Sequence, residues 1–396
     1  MSKEKTGVLM IGLNGATANT TVVGTKVLLK KLVPDYGMIT QSPLFAGHPL
    51  IKLDQLVFGG WDLHSHNAYD AAVRNKVLEE NWIKAVRKDI EKIRPMKGIV
   101  TSHDVDFLKS LDNIKPVKTR KAQLEAIIKD IRSFKKANGL KKTVVVFLAS
   151  PLKCVKPGRI HKDIKNLKRA IATNDPAVTS GMLYALAAIE TDSPYIDFTP
   201  NITLELPALA DYAAEKKVPL AGQDGNTGQT MMKTLIGQML KIKNLRLAGW
   251  YSTNILGNMD GKVLALPEHC VLKMKDKLDV LSAVLGYGGF DNIVDIRYYL
   301  PRGDNKEAWD NIDFLGWLGM PMSCKINWLG RDSILAAPLV LDLIRLLEYA
   351  HRRGEGGVQG QLAMFFKHPL GAHVRGFFDE YTLLREHYSK PDEAYG

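Results

Sequence analysis

The chain has 396 residues, 45% of them hydrophobic and 24% charged, a balance that excludes intrinsic disorder and leaves room for a large core or two domains. Its formal net charge of +12 and pI near 9.3 call for an anionic partner: nucleic acid, a membrane surface or small anionic substrates. Three scattered cysteines, Cys154, Cys270 and Cys324, exclude a disulfide framework or a zinc site, and no apolar run reaches membrane-spanning or signal-peptide length, so the expected compartment is the reducing cytoplasm.

Val8 to Ile11 is a short apolar run, followed by GLNGATANT and by apolar residues at helical spacing, Val23, Val27 and Leu28. Strand, glycine turn and helix open a doubly wound fold, in which the first helix start holds a dinucleotide pyrophosphate. Gly12 and Gly15 are present, but a strict GxGxxG places glycines where Asn14 and Thr17 stand, and no acidic residue closes a second strand about twenty positions on. Alone, the loop reads equally well as a tight structural turn. In GGWDLHSH, His64 and His66 lie two apart with nothing nearby that completes a metal site. Structural or surface histidines are expected there, and no metal.

Between Lys115 and Lys142 the apolar residues Leu124, Ile127, Ile128, Ile131 and Phe134 recur at helical spacing, with Lys129, Arg132, Lys135 and Lys136 between them. This predicts a helix with a solvated basic face. Nucleic acid is not the expected partner, because a single-strand binder interleaves aromatics with its charge and Phe134 stands alone. Thr143 to Ala149 is a β-branched and aromatic run of the kind buried in parallel sheets. Asp175-Pro176 predicts a helix start leading into Val178 to Ile189. Tyr195 to Phe198 and Val218 to Ala221 are strand candidates, with a helix over Thr203 to Ala214 between them. The alternation predicts an α/β fold with a doubly wound, Rossmann-like parallel sheet.

Two segments carry most of the functional signal. AGQDGNTGQT, 221–230, runs into apolar residues at helical spacing, Met231, Leu235 and Met239, and STNILGNMDGK follows at 252–262. Glycines let a backbone approach a polar ligand, and N–H groups at a helix start suit a phosphate. Asp224, Asn226 and Thr227 are equally readable as helix caps and Gly257 and Gly261 as turns. The crowding of Asn254, Asn258 and Asp260 into one segment exceeds what a turn needs. From Leu245 the pattern changes: Leu245 to Tyr251 and Ile293 to Leu300 read as strands, the second with one-sided alternation. A second, α+β domain is inferred over 225–335. The first, 1–224, is completed by 336–396, with apolar helices from Ile334 to Tyr349 packing back on it.

Lys273 and Lys277 lie four apart beside an apolar stripe and so share a helix face. On a surface this is unremarked repulsion; in a closed site each lowers the other's pKa, and a desolvated neutral lysine is a usable base. Lys306 in RGDNK and Lys367 in MFFKHP are further candidates, the latter beside Phe365 and Phe366. Asp332 in GRDS reads as an N-cap or as the partner of a lysine.

Across nearly its full length the chain resembles the myo-inositol-1-phosphate synthases. GQDGNTGQT is similar to that family's acidic GQT segment and STNILGNMDG to its SYNHLGNNDG signature, while GDNK, DSILAAPLVLDL and FFKHPL follow in the family's order. The N-terminal loop lacks one glycine of the family's double-glycine turn, Thr227 stands where many relatives have serine, and FTPN at 198–201 is shorter than the eukaryotic NGSPQNTFVPG block. The resemblance implies that bound NAD oxidises C5 of open-chain glucose 6-phosphate, that the resulting ketone acidifies C6 for aldol closure onto C1, and that NADH reduces the ketone again. It implies Lys273, Lys306 and Lys367 as catalytic lysines. Lys277 and Thr227 would hold the phosphate, Asp224 and Asp332 would orient lysines or pass protons, and Asn258 and Asp260 would shape the pocket. Gly12, Asn14, Gly15 and Ala16 would hold the pyrophosphate and Asp62 the adenosine ribose, with Trp61-Asp62 as a loop anchor the other reading.

Two other readings remain open at the level of sequence: an NAD(P)-dependent dehydrogenase of a phosphorylated small molecule on the same plan, and a non-enzymatic anion or nucleic-acid binder. A homotetramer formed through the second domain is expected, from the one-sided strand and from the resemblance. The implied substrate is glucose 6-phosphate, with no nucleic acid and no membrane as partners.

Overall fold

The structure, a computed structural model, describes residues 4–101, 104, 111–153, 155–257 and 280–389. Its strands are β1 (Thr6–Ile11), β2 (Leu56–Asp62), β3 (Met96–Lys97), β4 (Lys142–Phe147), β5 (Tyr195–Asp197), β6 (Pro219–Gly222), β7 (Arg246–Leu256), β8 (Asp291–Tyr298), β9 (Asn305–Leu315), β10 (Pro321–Arg331) and β11 (Gly357–Val358). Two units are distinguished: Met1–Gly225 with Ala337–Gly371 and Tyr388–Gly396, and Asn226–Ala336 with Ala372–His387.

In the first unit seven strands form one sheet in the order β11-β6-β5-β4-β1-β2-β3, every neighbouring pair parallel. The alternation read from the sequence is therefore realised as a doubly wound sheet. From β1 the chain runs out to β2 and β3 on one side and to β4, β5, β6 and β11 on the other, so the order reverses between β1 and β4. Ligands of such sheets bind at the carboxyl ends of the strands at that reversal. Both central strands are buried along their length, Val8–Ile11 and Thr143–Phe147, as continuous apolar runs in a parallel sheet must be. The helix Ser180–Glu190 is buried on nearly every side, which its all-round apolar composition requires.

Two helix starts differ from expectation. Ser180–Glu190 begins at an N-cap on Thr179, whose hydroxyl accepts from the Met182 N–H. Asp175 instead closes the turn before it, accepting from the Ala177 N–H at 2.9 Å. The next helix is Pro207–Glu215 and not Thr203 onward, because Pro207 is preorganised for a first helical position.

The second unit has a four-stranded sheet, β10-β9-β7-β8, in which only β7 and β8 run parallel. Leu247, Trp250 and Ile312 pack with Leu240, Leu281 and Leu285 on one face. The other face carries Tyr251, Ile293, Trp309 and Leu329, all exposed, so the one-sided pattern expected of Ile293–Leu300 extends over the sheet. The helix Gln229–Ile242 forms where Met231, Leu235 and Met239 recur at helical spacing, but its buried face is largely polar: Met239 is 41% exposed while Gln229, Thr230, Lys233, Thr234 and Gln238 are buried. Its polar face points inward because those side chains have partners or tasks there.

Candidate active site

In the first unit the loop after β1 is built around Gly12, whose φ of +85 and whose approach to the Ala149 backbone, 2.9 Å from where a Cβ would stand, admit only glycine. The Gly12 and Leu13 N–H groups donate to the Trp61 carbonyl. The Asn14 N–H donates to Asp62 Oδ2 at 2.8 Å, and Asn14 Nδ2 to the carbonyls of His64 and His66. Asp62 Oδ1 accepts from the His64 N–H at 3.0 Å. Asp62 ends β2, the strand beside β1, which is where a dinucleotide fold keeps its ribose-binding acid. Three short turns of helix, Ile39–Gln41, Pro43–Phe45 and Leu53–Gln55, lengthen the connection from β1 to this position beyond the usual offset. Burial raises the Asp62 pKa against the lowering effect of its hydrogen bonds.

The helix Ala16–Leu29 begins after Gly15 with no side-chain cap and no acidic residue in its first turn. Its leading N–H groups are thus unopposed by a carboxylate of their own turn. Asn14 Oδ1 is buried with no hydrogen-bond partner among the described residues, an acceptor for a ligand's hydroxyl or amino group. This donor and acceptor set fits a dinucleotide. Trp61 is 1% exposed and donates through Nε1 to Asp130, and Asp62 ties the loops after β1 and β2 together.

Further along the same unit, the segment after β6 lies against the one before Leu370. The Gln223 and His368 backbones bond reciprocally, and the Leu370 N–H donates to the Gly222 carbonyl. Asp224 sits at φ +60, a left-handed conformation uncommon outside glycine. It is held by its N–H on the Thr199 carbonyl, 3.0 Å, and by the Lys367 N–H on its own carbonyl, 2.7 Å. Lys367 Nζ then donates to Asp224 Oδ1 at 2.8 Å, with both side chains largely withdrawn from water. The flanking Phe365 and Phe366 are buried, as expected for a partly desolvated lysine.

Asp197, at the end of β5, was not singled out by sequence. It is wholly buried and accepts from the Thr199 N–H and hydroxyl at 3.0 and 2.6 Å. Burial pushes its carboxyl up to about 7 against those bonds, and the Asp224 charge adds to the rise. The signal that was available is an aspartate closing an apolar strand run two residues before a threonine.

In the second unit Lys306, the second residue of β9, has its Nζ 3.6 Å from Asp332 Oδ1. The same oxygen accepts from Thr227 Oγ1 at 3.0 Å. Asp332 thus stands within reach of a lysine as well as at the start of a helix. The capping oxygens are those of Asp304, which accepts from the Ser333 N–H and hydroxyl at 3.1 and 2.7 Å. Thr227 has one hydroxyl hydrogen, and it is engaged on Asp332. Behind the helix start, Gln229 Nε2 donates to both Asp310 oxygens at 2.9 and 3.1 Å, Trp250 Nε1 donates to Asp310 Oδ1 at 2.6 Å, and Asn254 Nδ2 donates to Gln229 Oε1 at 2.5 Å.

Asn258, Asp260, Lys273 and Lys277 lie outside the described residues. His64 and His66 rings stack with centroids 6.3 Å apart, and Asp112 Oδ1 is 4.0 Å from His64 Nδ1. Among the described residues no group of three or more metal-ligating side chains is assembled, and no helix is long and apolar enough to cross a membrane.

The fold is that of the dinucleotide-binding α/β class. A model of an NAD-binding family described as myo-inositol-1-phosphate synthase matches residues 6–386. Inositol-3-phosphate synthase 1 of Bacteroides thetaiotaomicron is 40% identical over 385 residues, 92% of this chain and 89% of that protein. Inositol-3-phosphate synthase isozyme 1 of Arabidopsis thaliana is 30% identical over 396 residues, 89% of this chain and 76% of that protein. The crystal structure of inositol-3-phosphate synthase from Caenorhabditis elegans matches with a TM-score of 0.89 at 24% identity, over 98% of this chain and 85% of that one, a likeness of fold. The chain belongs to the myo-inositol-1-phosphate synthase family.

Proposed function

We propose that this chain is an inositol-3-phosphate synthase, an isomerase that cyclises D-glucose 6-phosphate to 1D-myo-inositol 3-phosphate in the cytoplasm with an NAD that stays bound. The observation that carries the reading is the buried Lys367–Asp224 pair, built from the two family segments FFKHPL and GQDGNTGQT. Gly12, Asn14, Gly15 and Ala16 would hold an NAD whose chemistry, when bound, would be reversible hydride acceptance at C5, with zero net redox.

The chain's own side chains serve the proton and charge movements. Loss of a C6 proton leaves an enolate whose charge rests on the C5 oxygen. The C6–C1 bond then forms as the C1 carbonyl electrons move to oxygen, which takes up a proton. Ammonium groups facing those two oxygens stabilise the charge as it develops, and a neutral amine or a neighbouring carboxylate takes the C6 proton. Lys306, Lys367 and Lys273 are assigned to this work. Asp224 and Asp332, each beside a lysine, orient the amine and exchange protons with it. Lys277 and Thr227 are assigned to the phosphate, for which the Thr227 hydroxyl must turn off Asp332. Asn258 and Asp260 line the sugar. Gly12, Asn14, Gly15 and Ala16 are assigned to the pyrophosphate and Asp62 to the ribose.

The test incubates the purified protein with glucose 6-phosphate and NAD well below the substrate concentration. Inositol phosphate, read by periodate-released phosphate, should exceed the NAD supplied without NADH building up. Lys367→Ala and Asp224→Asn should each lower turnover about 10²–10⁴-fold while NAD binding persists. NADH accumulating in proportion to substrate consumed, with no cyclised product, would establish a dehydrogenase instead.

A further inference from the structure

Lys233 is 1% exposed, on the inward polar face of the helix Gln229–Ile242. Its Nζ has no hydrogen-bond partner among the described residues and lies 5.6 Å from the Trp250 ring centroid. Asp310 is the carboxylate that acts on it electrostatically, yet both Asp310 oxygens are engaged by Gln229 and Trp250. A buried ammonium without a direct partner is costly, and an apolar residue of the same length would avoid that cost. Helical side chains lean toward the helix N-terminus. Lys233, four residues after Gln229, therefore extends back toward the first turn, whose N-cap Gly228 has φ +146 and offers no side-chain cap, and which carries no acidic residue. The polar run ahead of it, Gln223 to Thr230, is buried throughout.

We propose that Lys233 is a positioning residue for the substrate's phosphate: its fixed charge, behind the Gly228-Gln229-Thr230 turn, adds to the field of the helix start and draws a phosphate dianion onto those backbone N–H groups. Asp310 keeps the buried charge in balance and holds the Gln229 carboxamide, whose oxygen is in turn fixed by Asn254, so the turn is rigid before the anion arrives. Cation–π contact with Trp250 supplies part of the missing solvation. Burial lowers the amine to about 8, which leaves it mostly charged at neutral pH. The inference rests on the synthase reading and deepens its phosphate site.

The experiment compares wild type with Lys233→Met, Lys233→Gln and Lys233→Arg as holoenzymes, measuring KM and kcat for glucose 6-phosphate, competitive inhibition by inorganic phosphate, and NAD affinity. Both neutral variants should raise KM and the phosphate inhibition constant together by about ten-fold, the size expected of a unit charge acting over several ångströms within protein. Their kcat and NAD affinity should stay within about two-fold, and Lys233→Arg should recover most of the loss. Two neutral variants guard against one failing to fold. Unchanged KM and phosphate inhibition in a folded neutral variant, or a fall in kcat alone, would overturn the assignment. Wild type inactive on glucose 6-phosphate would instead overturn the synthase reading, while phosphate binding still reports on Lys233.

Discussion

Lys367 and Asp224 show how a single charged pair is held away from water. Asp224 adopts a backbone conformation that asparagine tolerates and most residues do not, so Asp224→Asn isolates charge from shape. Asp197 carries the clearest pH signature. Its folded-state pKa of about 7 lies above the ordinary 3.8, so the native state holds this proton where the unfolded chain has lost it. The stabilisation is full below about pH 4 and disappears as pH rises through about 7. Asp197→Asn can still accept from Thr199 through Oδ1 and has no charge to bury. Thermal midpoints measured from pH 5 to 8 should therefore fall with pH more steeply in wild type than in the variant, and the variant should be the more stable at pH 8. Parallel curves for the two proteins would refute the account.

Among elements, the helix Gln229–Ile242 turns a largely polar face inward. The reason is visible in its partners. Gln229 is tied to Asp310 and Asn254, and Gln238 Oε1 accepts the Phe378 N–H at 2.7 Å, capping the start of the helix Phe377–His387. Gln229 and Gln238 thus replace the water they lose, whereas Lys233 Nζ finds no hydrogen-bond partner among the described residues. Gln238→Leu should cost about 1–2 kcal/mol, the loss of a buried cap. Met239→Gln, one position along and largely in solvent, should change stability by less than about 0.5 kcal/mol. Chemical denaturation of both variants decides; equal effects would mean that the helix is turned the other way.

For the whole molecule, the second unit's sheet sets the expectation. Tyr251, Ile293, Trp309 and Leu329 lie on strands that all contribute to one exposed face, and Trp317, Leu318 and Met320 add a hydrophobic loop at the end of β9. Scattered exposed apolar residues are ordinary, but a set this large on one sheet is the kind of surface we propose another chain to cover. The expected occupant is a second copy of the same sheet, assembling into a homotetramer. Sedimentation should give four times the 44.0 kDa chain mass. Trp309→Glu with Ile293→Glu should yield smaller species that keep their fold, and a wild-type monomer at micromolar concentration would sink the expectation.

The sequence determined what neighbouring residues encode: the apolar run at Val8 and the β-branched run at Val144, the turn at Gly12, the alternation that makes a parallel sheet, and the family segments that contain Asp224, Lys306, Asp332 and Lys367. These are legible because strand period, glycine conformation and capping chemistry act over a few residues. Only the tertiary structure decided which charges meet. Lys367 finds Asp224 across 143 residues and Thr227 finds Asp332 across 105, Asp62 becomes the neighbour of the Gly12 loop through the β1–β2 pairing, and Lys233 is enclosed in the interior. Such pairings depend on how the chain returns to itself, and at those separations the amino-acid pattern around either partner carries no trace of the other.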